Sequence, residues 1–150
     1  MISFNNSGRV LALDIGTVRI GVAISDPSRI IAQGLGVWKA EDDEWLKDFD
    51  AAIKKYQPAL IVVGLPVRTD GKKSEAGERI LALIERLRAL YPEQTFTTWD
   101  ERFTTVIAQR ALIEGNVSRK NRRKTVDKLA AVLILESWLE SQNSIKNLPA

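Results

Sequence analysis

Two short apolar runs constrain this chain most: Val10-Leu11-Ala12-Leu13 and Leu60-Ile61-Val62-Val63. The second has no polar alternation, as expected of a strand buried on both faces, the usual state of a parallel strand in an α/β sheet. The first ends at Asp14-Ile15-Gly16-Thr17, a strand giving way to a turn, and the second at Gly64-Leu65-Pro66. Strands are also expected at Ile20–Ser25 and Gly34–Trp38. With connections so short, the first three strands should pair as antiparallel neighbours. The acidic stretch Glu41–Glu44 suits the first turn of a helix running to about Tyr56.

After a loop centred on Thr69-Asp70-Gly71, a helix is expected from about Ser74 to Leu90. Ile80, Leu83, Ile84, Leu87 and Leu90 mark its buried face at helical spacing. Thr95–Trp99 reads as the last strand, and Thr104–Glu114 as a helix capped by Gly115. A final helix should span about Asn121–Ser141. The order βββαβαβαα describes one mixed five-stranded sheet flanked by helices, three antiparallel strands followed by parallel ones. Trp38, Trp45 and Trp138 are expected to pack in or against the core. Trp99, beside Asp100-Glu101, could stack on a base, but packing is the favoured role.

At 150 residues the chain suits a single domain, with residues 1–9 and 142–150 expected as flexible ends. It contains no Cys and no His, which excludes disulfides, thiolate metal sites, a Cys nucleophile and imidazole catalysis. Catalysis would rest on carboxylates, hydroxyls, Lys, Arg or a bound metal ion. The net charge is only +3, yet Val117–Lys128 holds six basic residues against Asp127. Arg119, Lys120, Arg122, Arg123, Lys124 and Lys128 thus form a local footprint for a polyanion. Neither a signal peptide nor a membrane span is expected, and the expected location is cytoplasmic.

Ligands of open α/β sheets gather at the carboxyl ends of the strands. Asp14 ends the first strand, and Asp100-Glu101 ends the fifth. Successive residues there point to opposite sides, so one of that pair can face a site while the other turns away. Asp127 shares a helix face with Ala130, Ala131 and Ile134. Three converging carboxylates would repel one another without a cation, and an all-oxygen set selects Mg2+ or Mn2+. Each acid also has a plainer reading. Asp14 suits a turn before Gly16, Asp127 an early-helix charge, and Asp100 or Glu101 an ion pair with Arg102. Arg68 and Lys72, in the loop after the fourth strand, suit either solvent or a phosphate backbone.

These residues carry a resemblance. Leu13-Asp14-Ile15-Gly16-Thr17-Val18-Arg19-Ile20-Gly21-Val22-Ala23 comes first, then Val63-Gly64-Leu65-Pro66 with Gly71. Asp100-Glu101-Arg102-Phe103-Thr104-Thr105 and Asp127-Lys128-Leu129-Ala130-Ala131 follow in the same order. Together they resemble the YqgF/RuvX family from Val10 to Leu139. The resemblance implies an RNase H-like fold and a nuclease acting on the 5′ end of precursor 16S ribosomal RNA. Relatives have also been called Holliday-junction resolvases. It implies Asp14, Glu101 and Asp127 as catalytic, metal-binding carboxylates. Arg68, Lys72, Arg102, Arg119, Lys120, Arg122, Arg123 and Lys124 are the cations expected to meet nucleic acid. Val18 stands where many members carry Lys.

Two other functions compete. Asp14-x-Gly16-Thr17 also resembles the first phosphate loop of actin-like ATPases and sugar kinases, whose two-domain closure 150 residues cannot supply. A non-catalytic RNA-binding assembly factor would keep the basic patch without turnover. The partner expected is a ribosomal RNA precursor, with branched DNA as the alternative, for a monomer or homodimer that meets no membrane.

Overall fold

A computed structural model describes residues 7–68, 70, 72, 74–104 and 119–146, with the side chains of 119–127 and 144–146 outside that description. The helix expected at Thr104–Glu114 with its Gly115 cap lies, beyond Thr104, outside the described residues. Five strands form one sheet: β1 (Val10–Ile15), β2 (Arg19–Ser25), β3 (Ala32–Lys39), β4 (Leu60–Leu65) and β5 (Phe96–Asp100). Their spatial order is β3-β2-β1-β4-β5. The β1–β2 and β2–β3 pairs are antiparallel, whereas β1–β4 and β4–β5 are parallel. The expected mixed sheet is therefore the one found.

Among the described residues, three helices cover the sheet: α1 (Trp45–Tyr56), α2 (Glu75–Leu90) and α3 (Arg119–Lys146). On one face Leu11, Leu13, Ile61 and Val63 pack against Trp45 and Phe49 of α1 and Ile80, Ile84 and Leu87 of α2. On the other, Val10, Ala12, Leu60 and Val62 meet Ala131, Ile134, Leu135 and Trp138 of α3. This two-sided burial is why β1 and β4 carry unbroken apolar runs.

Several boundaries differ from expectation. The acidic stretch does not open α1. It forms a separate 3-10 turn, Glu41–Asp43, in which Asp42 and Asp43 take φ of 56° and 58°. Asp tolerates this left-handed region better than most residues, and Asp43 is held by Arg86 of α2 at 2.7 Å. Leu90 is 55% exposed rather than buried, because α2 outruns the core and Leu87 is its last buried residue. α3 starts before Asn121 and continues past Ser141 to Lys146. Residues 7–9 are also tied down. The Arg29 side chain donates to the Gly8 and Ser7 carbonyls, and Arg9 to that of Ser25. Trp45 and Trp138 are buried and Trp38 half-buried, as expected.

Candidate active site

Asp14 sits in the last turn of pleat of β1, opposite Gly21 of β2. Beyond it the chain turns at once, with the Gly16 N–H donating to the Arg19 carbonyl at 2.9 Å. Two strands away, Asp100 ends β5 and Glu101 begins a short 3-10 turn, Glu101–Phe103. All three carboxylates thus reach the same rim, where the carboxyl ends of β1, β4 and β5 meet.

The adjacent acids separate cleanly. Asp100 turns back onto the 3-10 turn. It accepts from the Arg102 backbone N–H at 2.9 Å and from the Arg102 guanidinium Nη2 at 2.6 Å. That cation holds the Asp100 carboxyl below its usual range. Glu101 folds inward over Gly64 and is hydrogen-bonded to Asp14. Its carboxyl is pushed up to about 8, first by burial and then by the neighbouring Asp14 charge. At neutral pH Glu101 is therefore mostly protonated and donates to the Asp14 carboxylate. Of the two acids, Glu101 is the one that meets Asp14, and the ion pair expected for one of them belongs to Asp100.

Gly64 makes this placement possible. A Cβ there would stand 2.8 Å from Glu101 Oε1 and 2.6 Å from Ile134 Cδ1. The missing side chain at the end of β4 is the space that Glu101 and α3 share. Trp99 ties the same region together: its indole N–H donates to Ser137 Oγ of α3 at 3.0 Å, and its ring lies 5.4 Å from Phe103. In this structure Trp99 is a packing residue.

Asp127 belongs to α3, but its side chain lies outside the described residues. Its place on the helix is clear from the residues below it. Ala131, Ile134 and Trp138 are buried against the sheet. Asp127 precedes Ala131 by four residues and Ile134 by seven, about one and two turns, so it shares their helical register on α3.

Among the described cations, Arg68 and Lys72 follow β4 and Arg102 follows β5. Arg68 pairs with Asp70 at 3.0 Å, and the loop closes with the Lys72 N–H donating to Asp70 at 3.0 Å. Arg68 and Lys72 are exposed, and Arg102 remains exposed while paired to Asp100. Arg119, Lys120, Arg122, Arg123 and Lys124 lie in the first two turns of α3, and their side chains are outside the described residues.

Among the described residues no group of three acids forms a complete metal cage. The Asp14–Glu101 pair nevertheless fits a hard divalent cation. Both donors are carboxylate oxygens, they are drawn together in a half-buried notch, and a shared proton now offsets a repulsion that a cation would relieve. The role of Gly64 as a seat for Glu101, and the Trp99–Ser137 bond, were not expected from the sequence. A glycine closing an apolar strand was the available signal for the first.

The fold and the sequence both have known relatives. The chain is similar, at 42% identity over 137 residues, to a protein of Halalkalibacterium halodurans named "Putative pre-16S rRNA nuclease", covering 89% of this chain and 97% of that one. A Thermoanaerobacter pseudethanolicus protein of the same name is 43% identical over 140 residues, covering 91% and 99%. Among solved structures, Thermus thermophilus RuvC in complex with a Holliday junction substrate superposes with a TM-score of 0.53 at 15% identity, covering 90% of this chain and 96% of that one. The yeast mitochondrial Holliday junction resolvase Ydc2 does so with 0.56 at 15% identity, covering 97% and 84%. These likenesses establish the RNase H-like fold. A model of the RuvX family, described as Holliday junction resolvase, matches residues 8–141. The chain belongs to the RuvX family.

Proposed function

We propose that this protein is a divalent-metal-dependent nuclease that processes the 5′ end of precursor 16S ribosomal RNA. The observation that carries the reading is the Asp14–Glu101 carboxyl pair, seated over Gly64 at the rim of an RNase H-like sheet. Asp14, Glu101 and Asp127 would hold Mg2+ or Mn2+. Bound there, such an ion supplies an activated water and charge stabilisation for the leaving oxygen of a phosphodiester. The chain's own residues do the rest. Asp14 and Glu101 exchange their shared proton for the cation, and Gly64 keeps the notch open for them. Asp100 holds Arg102 at the mouth of the site, where its outer face can meet a phosphate. Arg68, Lys72 and the first turns of α3, with Arg119, Lys120, Arg122, Arg123 and Lys124, hold the backbone on either side. The names of the relatives support RNA as substrate.

The description of the family model favours a second reading, resolution of four-way DNA junctions. Symmetric cutting of both strands would require two copies of the chain. Cleavage assays with wild type and Asp127→Asn separate the readings. The substrates are a precursor ribosomal RNA end and a four-way DNA junction, each with Mg2+, Mn2+ or chelator. The expected result is metal-dependent cutting of the RNA that disappears in the variant. Cutting of the junction alone selects the second reading, and binding without cutting selects a non-catalytic assembly factor.

A further inference from the structure

The β3 edge carries a second cationic feature, on the opposite flank of the site from the Arg68–Lys72 loop. Arg19 and Lys39 are direct partners in the β2–β3 ladder. This pairing sets two cationic side chains next to each other on one face of the sheet edge. Lys128 of α3 brings a third cation to the same place. Its stem lies across Gly34 of β3, where an added Cβ would stand 2.4 Å from Cε and 2.9 Å from Cγ. Gly34 is thus a slot that lays Lys128 along the sheet edge.

These three cations line a groove of about 670 Å3 whose other walls include Val18, Val37 and Trp38, with Glu41 as the acid among the described residues. The volume falls within the roughly 300–1,000 Å3 range of small-ligand sites. Val18 is 63% exposed, so the apolar wall is open to a partner. Gly36 adds a bare stretch of backbone, with nothing within 4 Å of where its Cβ would be. The groove adjoins the candidate active site along the chain. The turn carrying Gly16 and Val18 joins Asp14 to the groove, and the Val18 carbonyl accepts from the Ala40 N–H at 2.9 Å. β3 lies two strand spacings from β1, about 10 Å.

We propose that this groove binds an unpaired nucleotide of the substrate strand close to the bond that is cut. Arg19, Lys39 and Lys128 take its phosphates, and its base lies on the wall of Val18, Val37 and Trp38. An apolar wall between cations suits a base with an exposed ring face, which a duplex does not offer. The inference rests on the nucleic-acid reading above and adds the form of the substrate.

Binding measured by fluorescence anisotropy in chelator, where nothing is cut, tests it. The probes are a labelled oligouridylate and a blunt RNA duplex. Lys128→Met, which keeps the stem and loses the charge, and Lys39→Gln should each weaken oligouridylate binding by about fivefold. Each should also flatten the log–log salt slope by about 0.7, the value for one lost single-strand phosphate contact. Duplex binding should change less. Gly34→Ala keeps the charge but displaces the stem, so it should match Lys128→Met, and the double variant should be little worse than either. Unchanged oligouridylate binding in Lys128→Met and Lys39→Gln overturns the groove, as does an equal loss on the duplex. If those variants bind normally while Asp14→Asn still abolishes cutting, the groove fails and the nuclease reading stands. If wild type binds neither probe, both fail.

Discussion

Neighbouring acids at the end of β5 meet opposite fates, and the difference lies in one backbone step. Asp100 faces Arg102 and caps a 3-10 turn, whereas Glu101 reaches over Gly64 to Asp14. Glu101→Gln keeps a donor for Asp14 but removes the carboxyl group proposed to hold the cation. It should leave the fold intact and lower cleavage by at least the ~10–100-fold that even outer-shell partners of a metal cost. Activity near wild type in a folded Glu101→Gln protein would remove Glu101 from the site. Gly64→Ala puts a methyl group against both Glu101 Oε1 and Ile134 Cδ1. We expect it to destabilise the protein by about 1–3 kcal/mol in urea denaturation, as overpacking does, and to depress cleavage together with stability. Asp14 and the Asp100-Glu101 pair were legible in the sequence as candidates, but which of the two acids meets Asp14 was not. The seat at Gly64 was not, because a glycine at a strand end reads equally as a bend.

At the level of elements, apolar spacing located nearly everything that packs, and side-chain chemistry at the ends decided the rest. α2 begins where Ser74 accepts from the Gly77 N–H at 2.9 Å, and the same hydroxyl donates to the Pro66 carbonyl at 3.2 Å. One residue thereby caps the helix and ties it to the loop leaving β4. Ser74→Ala should cost about 1 kcal/mol in urea denaturation, within the usual range for a lost cap. A cost near zero would mean that water replaces both bonds. Ile80, Ile84 and Leu87 were readable as the buried stripe, but Leu90 was not separable from them. Periodicity reports which face a residue lies on, not where the underlying sheet stops. The acidic stretch before α1 misled for a related reason. Acids suit a helix N-terminus, yet Asp43 is drawn to Arg86 of α2, a partner 43 residues away.

Across the whole molecule, the candidate site costs folding free energy that a cation would return. Glu101 titrates at about 8 in the folded chain, against 4.5 as its ordinary value. Between those limits the folded chain keeps a proton that the unfolded chain has released. Stability of the metal-free protein should therefore fall as pH rises through this window and level off above it. Asp100 acts at the acid end instead: its lowered carboxyl favours folding above its ordinary pKa and loses that contribution as pH drops below it. Thermal midpoints measured across the window, with and without Mg2+ or Mn2+, check the first effect. The expected result is a declining metal-free profile, with added metal raising Tm most at the alkaline end. Glu101→Gln should flatten the decline and abolish most of the metal response. A flat wild-type profile would mean that Glu101 does not bury a proton there.

The amino-acid sequence alone determined the mixed sheet, its strand order of use and the rim at which Asp14 and the Asp100-Glu101 pair had to lie. Those features follow from local patterns: unbroken apolar runs, helical spacing and short connections, each contained within a few residues. The absence of His and Cys likewise restricted any catalysis to carboxylates, hydroxyls, Lys, Arg or a bound metal ion before any contact was known. Only the tertiary structure decided that Glu101 meets Asp14, that Gly64 makes room for it, and that Lys128 lies in the slot of Gly34. These are contacts between elements far apart in the chain, set by how α3 and β5 settle on the sheet. A glycine's meaning there depends on which atom arrives from the other side, and no local pattern records that.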